Sequence, residues 1–275
     1  MPGRRRLRPR RFRLAGPLAA VMLAAPLLAG CEAMDSILGR ESTNGPLDCS
    51  RYQEDTPKDP APLLMIMLDV SDNSPEAAAV VAERIKPYLE TALREGQYIR
   101  LVASGGGDGG LTYSDCFHGD RLFLIDRDND TREEKDRKAA VERLSEEINH
   151  IVQAEEVSPT GSVTGLLASI NDEIGTLRST PNVNIGKVTV VVWTDLLGTG
   201  EEADCLNVDG KKASVQIAEA MVKRCFDSET PQLTSIGDHQ IRFLGVNEGS
   251  TTRPQQDLAR YLKGELCRRI SSDCG

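Results

Sequence analysis

Six consecutive apolar residues, Leu63 to Leu68 (LLMIML), constrain the fold of this chain more than any other feature. A strand that stays apolar without alternation is buried on both faces. Sheets covered on both faces are built from parallel strands with helices above and below. VTVVVW at 188–193 repeats the demand. Ser74 stands as N-cap with Pro75 at the first helical position, and Val81, Ile85, Leu89 and Ala92 share one face, so a helix follows the first strand. Pro87 is expected to kink or split it. YIRLVA (98–103) reads as a second strand and RLFLI (121–125) as a third, joined by a glycine-rich loop. Asp130 with Glu133, or Thr131 with Glu134, offers a capping box for a helix reaching about Gln153. Further helices are expected at about Ser162–Leu177, Lys211–Arg224 and Pro254–Ile270, with a strand QIRFLGV at 240–246. The alternation predicts one α/β domain over residues 62–275, a three-layer doubly wound fold with a mostly parallel sheet.

The chain before that domain reads differently. Seven arginines between Arg4 and Arg13 form a basic start with no acid. An uncharged run from Leu14 to Gly30 follows and ends in Leu28-Ala29-Gly30-Cys31. This is the layout of a secretory signal peptide. The small residues before Cys31 resemble the lipobox of bacterial lipoproteins, which implies lipidation of Cys31 and cleavage just before it. An uncleaved transmembrane anchor fits poorly, because the run falls short of the ~20 apolar residues a span needs and Pro17 and Pro26 interrupt it. A twin-arginine signal at Arg10-Arg11-Phe12 has the wrong flanks. Residues 31–61, with Pro46, Pro57 and Pro60, read as a flexible tether spanning roughly 30 Å. The expected location is extracytoplasmic, lipid-anchored to the cell membrane or to an outer membrane. Glu32 is not the aspartate that retains enterobacterial-type lipoproteins at the inner membrane.

Without its first thirty residues the chain keeps 26 basic residues against 42 acidic ones, a formal charge of −16. Such a body repels phosphate backbones, so nucleic acid is not an expected partner. Lipidation of Cys31 would leave six of the seven cysteines, Cys49, Cys116, Cys205, Cys225, Cys267 and Cys274, as disulfide candidates. Fifteen pairings are open, and short spacing favours Cys205–Cys225 and Cys267–Cys274. The absence of any C-x-x-C leaves zinc-ribbon and thioredoxin-like chemistry unsupported.

In open α/β sheets ligands sit beyond the carboxyl ends of the strands. There the sequence places Asp69-Val70-Ser71-Asp72-Asn73, then Thr194-Asp195, and between them the helix-opening loop Ser158 to Gly165. Together these resemble the von Willebrand factor type A domain, or integrin I-type domain, over about Pro62 to Ile270. Its metal-ion-dependent adhesion site uses D-x-S-x-S, a later threonine and a final aspartate. The resemblance implies metal ligation by Asp69, Ser71, Asn73, Thr160 and Asp195, and one antiparallel edge strand at 121–125. Asn73 departs from the pattern, standing where the family has its second serine. The implied cofactor is a divalent cation, Mg2+ first, with Mn2+ or Ca2+ as alternatives. Mg2+ takes six oxygens at about 2.1 Å and keeps some water. Neutral direct ligands leave its charge poorly compensated, so the implied partner is a protein offering a carboxylate.

Other signals lead elsewhere. Asp126, Asp128 and Asp130 have calcium-loop spacing, but Thr131 and Arg137 stand where an EF-hand needs Gly and Glu. Gly105 to Gly110 lacks the Gly-Lys-Ser/Thr of a phosphate loop. His118, His150 and His239 form no H-E-x-x-H pair, and no G-x-S-x-G elbow occurs. The expectation is therefore a membrane-anchored binding module rather than an enzyme. The alternatives are a metal-independent assembly lipoprotein and, less favoured, a metal-assisted hydrolase.

Overall fold

The chain divides into residues 1–46 and 47–275. The computed structural model describes residues 59–70, 74–104, 111–112, 118–121, 129–154, 162–198, 204–246 and 252–275, all in the second unit. The signal-peptide and lipidation readings, Cys49 and Cys116, Ser71, Asn73 and Thr160 lie outside the described residues.

The strands are β1 (Ala61–Leu68), β2 (Tyr98–Ser104), β3 (Leu111–Thr112), β4 (His118–Arg121), β5 (Ile185–Trp193), β6 (Gln240–Leu244) and β7 (Asp273–Cys274). The helices are α1 (Pro75–Glu95), α2 (Asp130–Gln153), α3 (Val163–Ser179), α4 (Val215–Asp227) and α5 (Arg253–Ile270). Five strands run parallel in the order β2-β1-β5-β6-β7. The short β3 and β4 pair antiparallel with β2. The strand expected at 121–125 meets β4 only at Arg121, and residues 122–125 lie outside the described residues.

Packing explains the unbroken apolar run. Leu63, Met65 and Met67 face a core shared with α3, α4 and α5, whereas Leu64, Ile66 and Leu68 face one shared with α1 and α2. β5 divides likewise, with Val188, Val190 and Val192 on the first face and Val191 on the second. Side chains of a strand alternate, so both sets must be apolar when both faces are covered. Among the described residues the result is three layers, two helices on one side of the sheet and three on the other.

Local expectations fare unevenly. Ser74 caps α1 by accepting from the Ala77 amide at 3.2 Å, and Gly96 ends it at φ 62°. Pro87 does not split α1, which runs as one element. Pro87 and Glu83 are exposed, so water meets the carbonyl that proline leaves without a donor while the buried face continues. The cap of α2 is Asn129, earlier than either expected residue, because its side-chain oxygen reaches the Arg132 amide at 3.1 Å. α4 starts at Val215 rather than near Lys211, because Ser214 caps it and a Lys211 to Val208 backbone bond closes a turn ahead of it. β1 begins at Ala61, inside the stretch expected to be tether, where its amide donates to the Asn184 carbonyl.

Among the described residues two disulfides, Cys205–Cys225 and Cys267–Cys274, join the short-spaced pairs. Crosslinks of this kind belong to oxidising compartments and are rare in a reducing cytosol. One buried ion pair went unforeseen. Arg100 on β2 donates through Nε and Nη2 to Oε2 of Glu173 on α3, at 3.0 and 2.8 Å, beneath the α3 layer.

Candidate metal centre

The strand order creates a crevice where the candidate site stands. From β1 the chain passes through α1 to β2 on one side, and later returns to add β5 on the other. Neighbouring crossovers thus leave in opposite directions between β1 and β5, which opens a cleft at their carboxyl ends. Register brings those ends level: Leu68 pairs with Ala103 on one side and Trp193 on the other. Asp69 and Thr194, each one residue further on, therefore lie side by side.

The contact is direct. The Thr194 hydroxyl donates to Oδ2 of Asp69 at 2.6 Å and accepts from the Leu196 amide at 2.9 Å. The Asp69 amide donates to the Trp193 carbonyl, and the Ser104 hydroxyl donates to the Leu68 carbonyl. Thr194 is fully buried, so its hydroxyl is held by these two bonds and cannot turn to solvent. Asp195 turns its carboxylate to the Leu197 amide at 2.8 Å, and between them Leu196 takes φ 59°. A non-glycine residue in that region stores backbone strain, a feature that clusters at functional sites.

The electrostatics follow from burial. Burial raises the Asp69 carboxyl from 3.8 to about 7; the Thr194 hydrogen bond works against this, and the negative charges of Asp195 and Asp204 add to it. Burial also raises Asp195, opposed by the amides that donate to it. Among the described residues no lysine or arginine side chain pairs with the carboxylates of Asp69, Asp195 or Asp204.

Asp204 was not foreseen. Its carboxylate accepts from the hydroxyls of Ser162 (2.6 Å) and Thr164 and from the Leu206 amide (2.8 Å). It joins the loop after β5 to the entrance of α3. Asp-Cys occurs four times in the chain, at 48–49, 115–116, 204–205 and 273–274, so the dipeptide could not have singled it out. Gly245 and Gly198 close the surroundings. A Cβ on Gly245, at φ 80°, would lie 3.1 Å from the Trp193 ring and 3.3 Å from the Thr194 carbonyl. One on Gly198 would lie 3.3 Å from the Leu206 carbonyl and the Val163 side chain.

Of the five expected ligands, the structure brings Asp69 and Asp195 to the same cleft; Ser71, Asn73 and Thr160 lie outside the described residues. Among the described residues no three His, Cys, Asp or Glu side chains converge as a metal-holding group. The expected set asks for only two carboxylates, with hydroxyl and amide oxygens completing it. An all-oxygen set with unpaired negative charge suits a hard cation such as Mg2+.

The α/β arrangement is compatible with a type A fold. The sequence matches no protein-family profile, and comparison with curated proteins gives no match. Slight likeness to solved structures is found, of which two are described. One is proximal thread matrix protein 1 from the mussel byssus, 11% identical with a TM-score of 0.31, covering 78% of this chain and 48% of that one. The other is an aerotolerance-related membrane protein from Bacteroides fragilis, 16% identical with a TM-score of 0.30, covering 78% of this chain and 90% of that one. This chain thus spans about half the length of the mussel protein. Neither likeness bears on what the chain does.

Proposed function

We propose that this chain is a lipid-anchored, extracytoplasmic type A binding module that captures a protein partner through a divalent cation. The ligands are Asp69, Ser71, Asn73, Thr160 and Asp195, and Cys31 carries the lipid. The observation that carries the reading is a cleft at the carboxyl ends of β1 and β5 where, among the described residues, no cationic side chain pairs with Asp69 or Asp195. Burying negative charge is unfavourable unless it is paired, protonated or placed against a cation. A divalent cation there would offer its remaining coordination position to an outside carboxylate. Ligands chosen for charge and oxygen geometry favour docking over bond-breaking, so no enzymatic step is assigned.

The test is thermal unfolding of the mature chain with Mg2+, Mn2+ or Ca2+ and with chelator. The expected result is a cation-dependent rise in Tm that Asp195→Ala abolishes. Unchanged melting with all three cations would remove the metal from the reading. Asn73 favours a second version, a metal-independent assembly lipoprotein of the same fold, because an amide side chain is longer than the serine the pattern calls for. Capture of the partner that survives chelator would support that version.

A further inference from the structure

The side chain of Asp204 works away from its own segment. α3 has no acid in its first turn, although the partial positive charge of a helix N-terminus favours one. Asp204 supplies that charge from forty residues later in the chain, through the Ser162 and Thr164 hydroxyls. Ser162 is also the N-cap, its oxygen accepting from the Gly165 amide at 3.0 Å. Asp204 therefore orients the hydroxyl that starts the helix.

Asp204 is fixed from behind. Cys205 is bonded to Cys225 on α4, and its amide donates to Oε1 of Gln232 at 2.8 Å. The Arg224 guanidinium donates to the carbonyls of Asp204 and Cys205 at 3.1 and 2.9 Å. Both cysteines are buried, which shields the bond from soluble thiols. The other disulfide, Cys267–Cys274, ties α5 to β7, which pairs with Gln240 and Ile241 at the opposite end of β6 from Leu244 and the candidate centre.

We propose that Asp204 is the positioning residue of the candidate metal centre and that Cys205–Cys225 is the permanent clamp that sets it. The clamp fixes Asp204 and Cys205 against the entrance of α3, and in sequence that entrance follows directly on the segment carrying Thr160. The role in cation binding rests on the function proposed above; the positioning of α3 does not.

Hydrogen exchange of the mature protein, read peptide by peptide in chelator, tests the positioning. Asp204→Asn keeps the disulfide, and paired Cys205→Ser and Cys225→Ser remove it. Each is expected to speed exchange at Gly165 to Leu167 by about tenfold, the scale of losing a charged hydrogen bond at a helix start. The paired Cys267→Ser and Cys274→Ser control is expected to leave that segment unchanged. Mn2+ titration followed by Tm then reads the centre, where Asp204→Asn is expected to weaken binding about tenfold and Asp204→Glu to recover part of it. Unchanged exchange at α3 in both the Asp204 and Cys205/Cys225 variants would overturn the proposal. If the paired cysteine variant does not fold, Ser162→Ala with the disulfide intact replaces it, with the same expected loss. Faster exchange in a protein that binds no cation would uphold the positioning and defeat the metal-binding function instead.

Discussion

Asp69→Asn isolates the electrostatic burden of the cleft. The Asp69 carboxyl titrates near 3.8 when unfolded and at about 7 when folded, so the folded state holds its proton more tightly. A group raised in this way contributes stability that is complete below the unfolded value and lost as pH rises through the folded one. Each pH unit in that window removes about 1.4 kcal/mol, so the swing between pH 4 and pH 7 is at most about 4 kcal/mol. Asp69 keeps some solvent contact, which screens its charge and brings the expected swing to about 2–4 kcal/mol. Asparagine cannot ionise and its side-chain oxygen still accepts from Thr194. In chelator the variant should match the parent at pH 4 and exceed it by about 2–4 kcal/mol at pH 8. Asp195, also raised, is present in both proteins and cancels from the difference. Urea unfolding is the assay, followed by the fluorescence of Trp193, the chain's single tryptophan, which adjoins the cleft. A stability difference that stays flat from pH 4 to pH 8, or a variant weaker at pH 8, would refute the account of a buried, uncompensated carboxyl.

Thr194→Val removes the donor to Asp69 and the acceptor for the Leu196 amide; about 2 kcal/mol should be lost in urea unfolding, and the loss of stability with rising pH should extend to higher pH than in the parent. Gly245→Ala places a Cβ against the Trp193 ring and Thr194 carbonyl at φ 80°, and a Tm decrease equivalent to about 1–3 kcal/mol is expected. Glu173→Ala removes the buried carboxylate that accepts two Arg100 hydrogen bonds and should cost about 1.5–3 kcal/mol in chemical denaturation, with no change in cation response. Cys31→Ser should leave an unlipidated, uncleaved precursor by mass spectrometry, whereas the parent chain is expected to begin at a diacylated Cys31.

The layers were legible because burial on both faces leaves an unmistakable trace. Leu63 to Leu68 must satisfy two cores at once, so no polar residue interrupts the run. Weakly specified elements were not. β7 has two residues and consists of the backbone pairing of Asp273 and Cys274 with Gln240 and Ile241, which no side-chain pattern announces. β3 and β4 are similarly short, so their positions do not follow from apolar periodicity. The split expected at Pro87 does not occur, for a related reason. Its effect depends on whether the vacated carbonyl faces water or core, and that is decided by helix phase rather than by the residue.

The cleft divides along the same line. Asp69 and Asp195 were readable because each follows directly on a buried strand, and parallel register makes the ends of such strands neighbours. Asp204 follows no strand. It reaches the entrance of α3 only because a disulfide, a guanidinium and a glutamine converge on its segment. A residue whose position is set by three partners distant in sequence has no local signature. Two carboxylates are thus placed at the cleft by strand order, and a third is placed at the entrance of α3 by crosslinking. The two kinds should respond separately: loss of the Cys205–Cys225 clamp should loosen Asp204 and the start of α3 while β1 and β5 keep Asp69 beside Thr194.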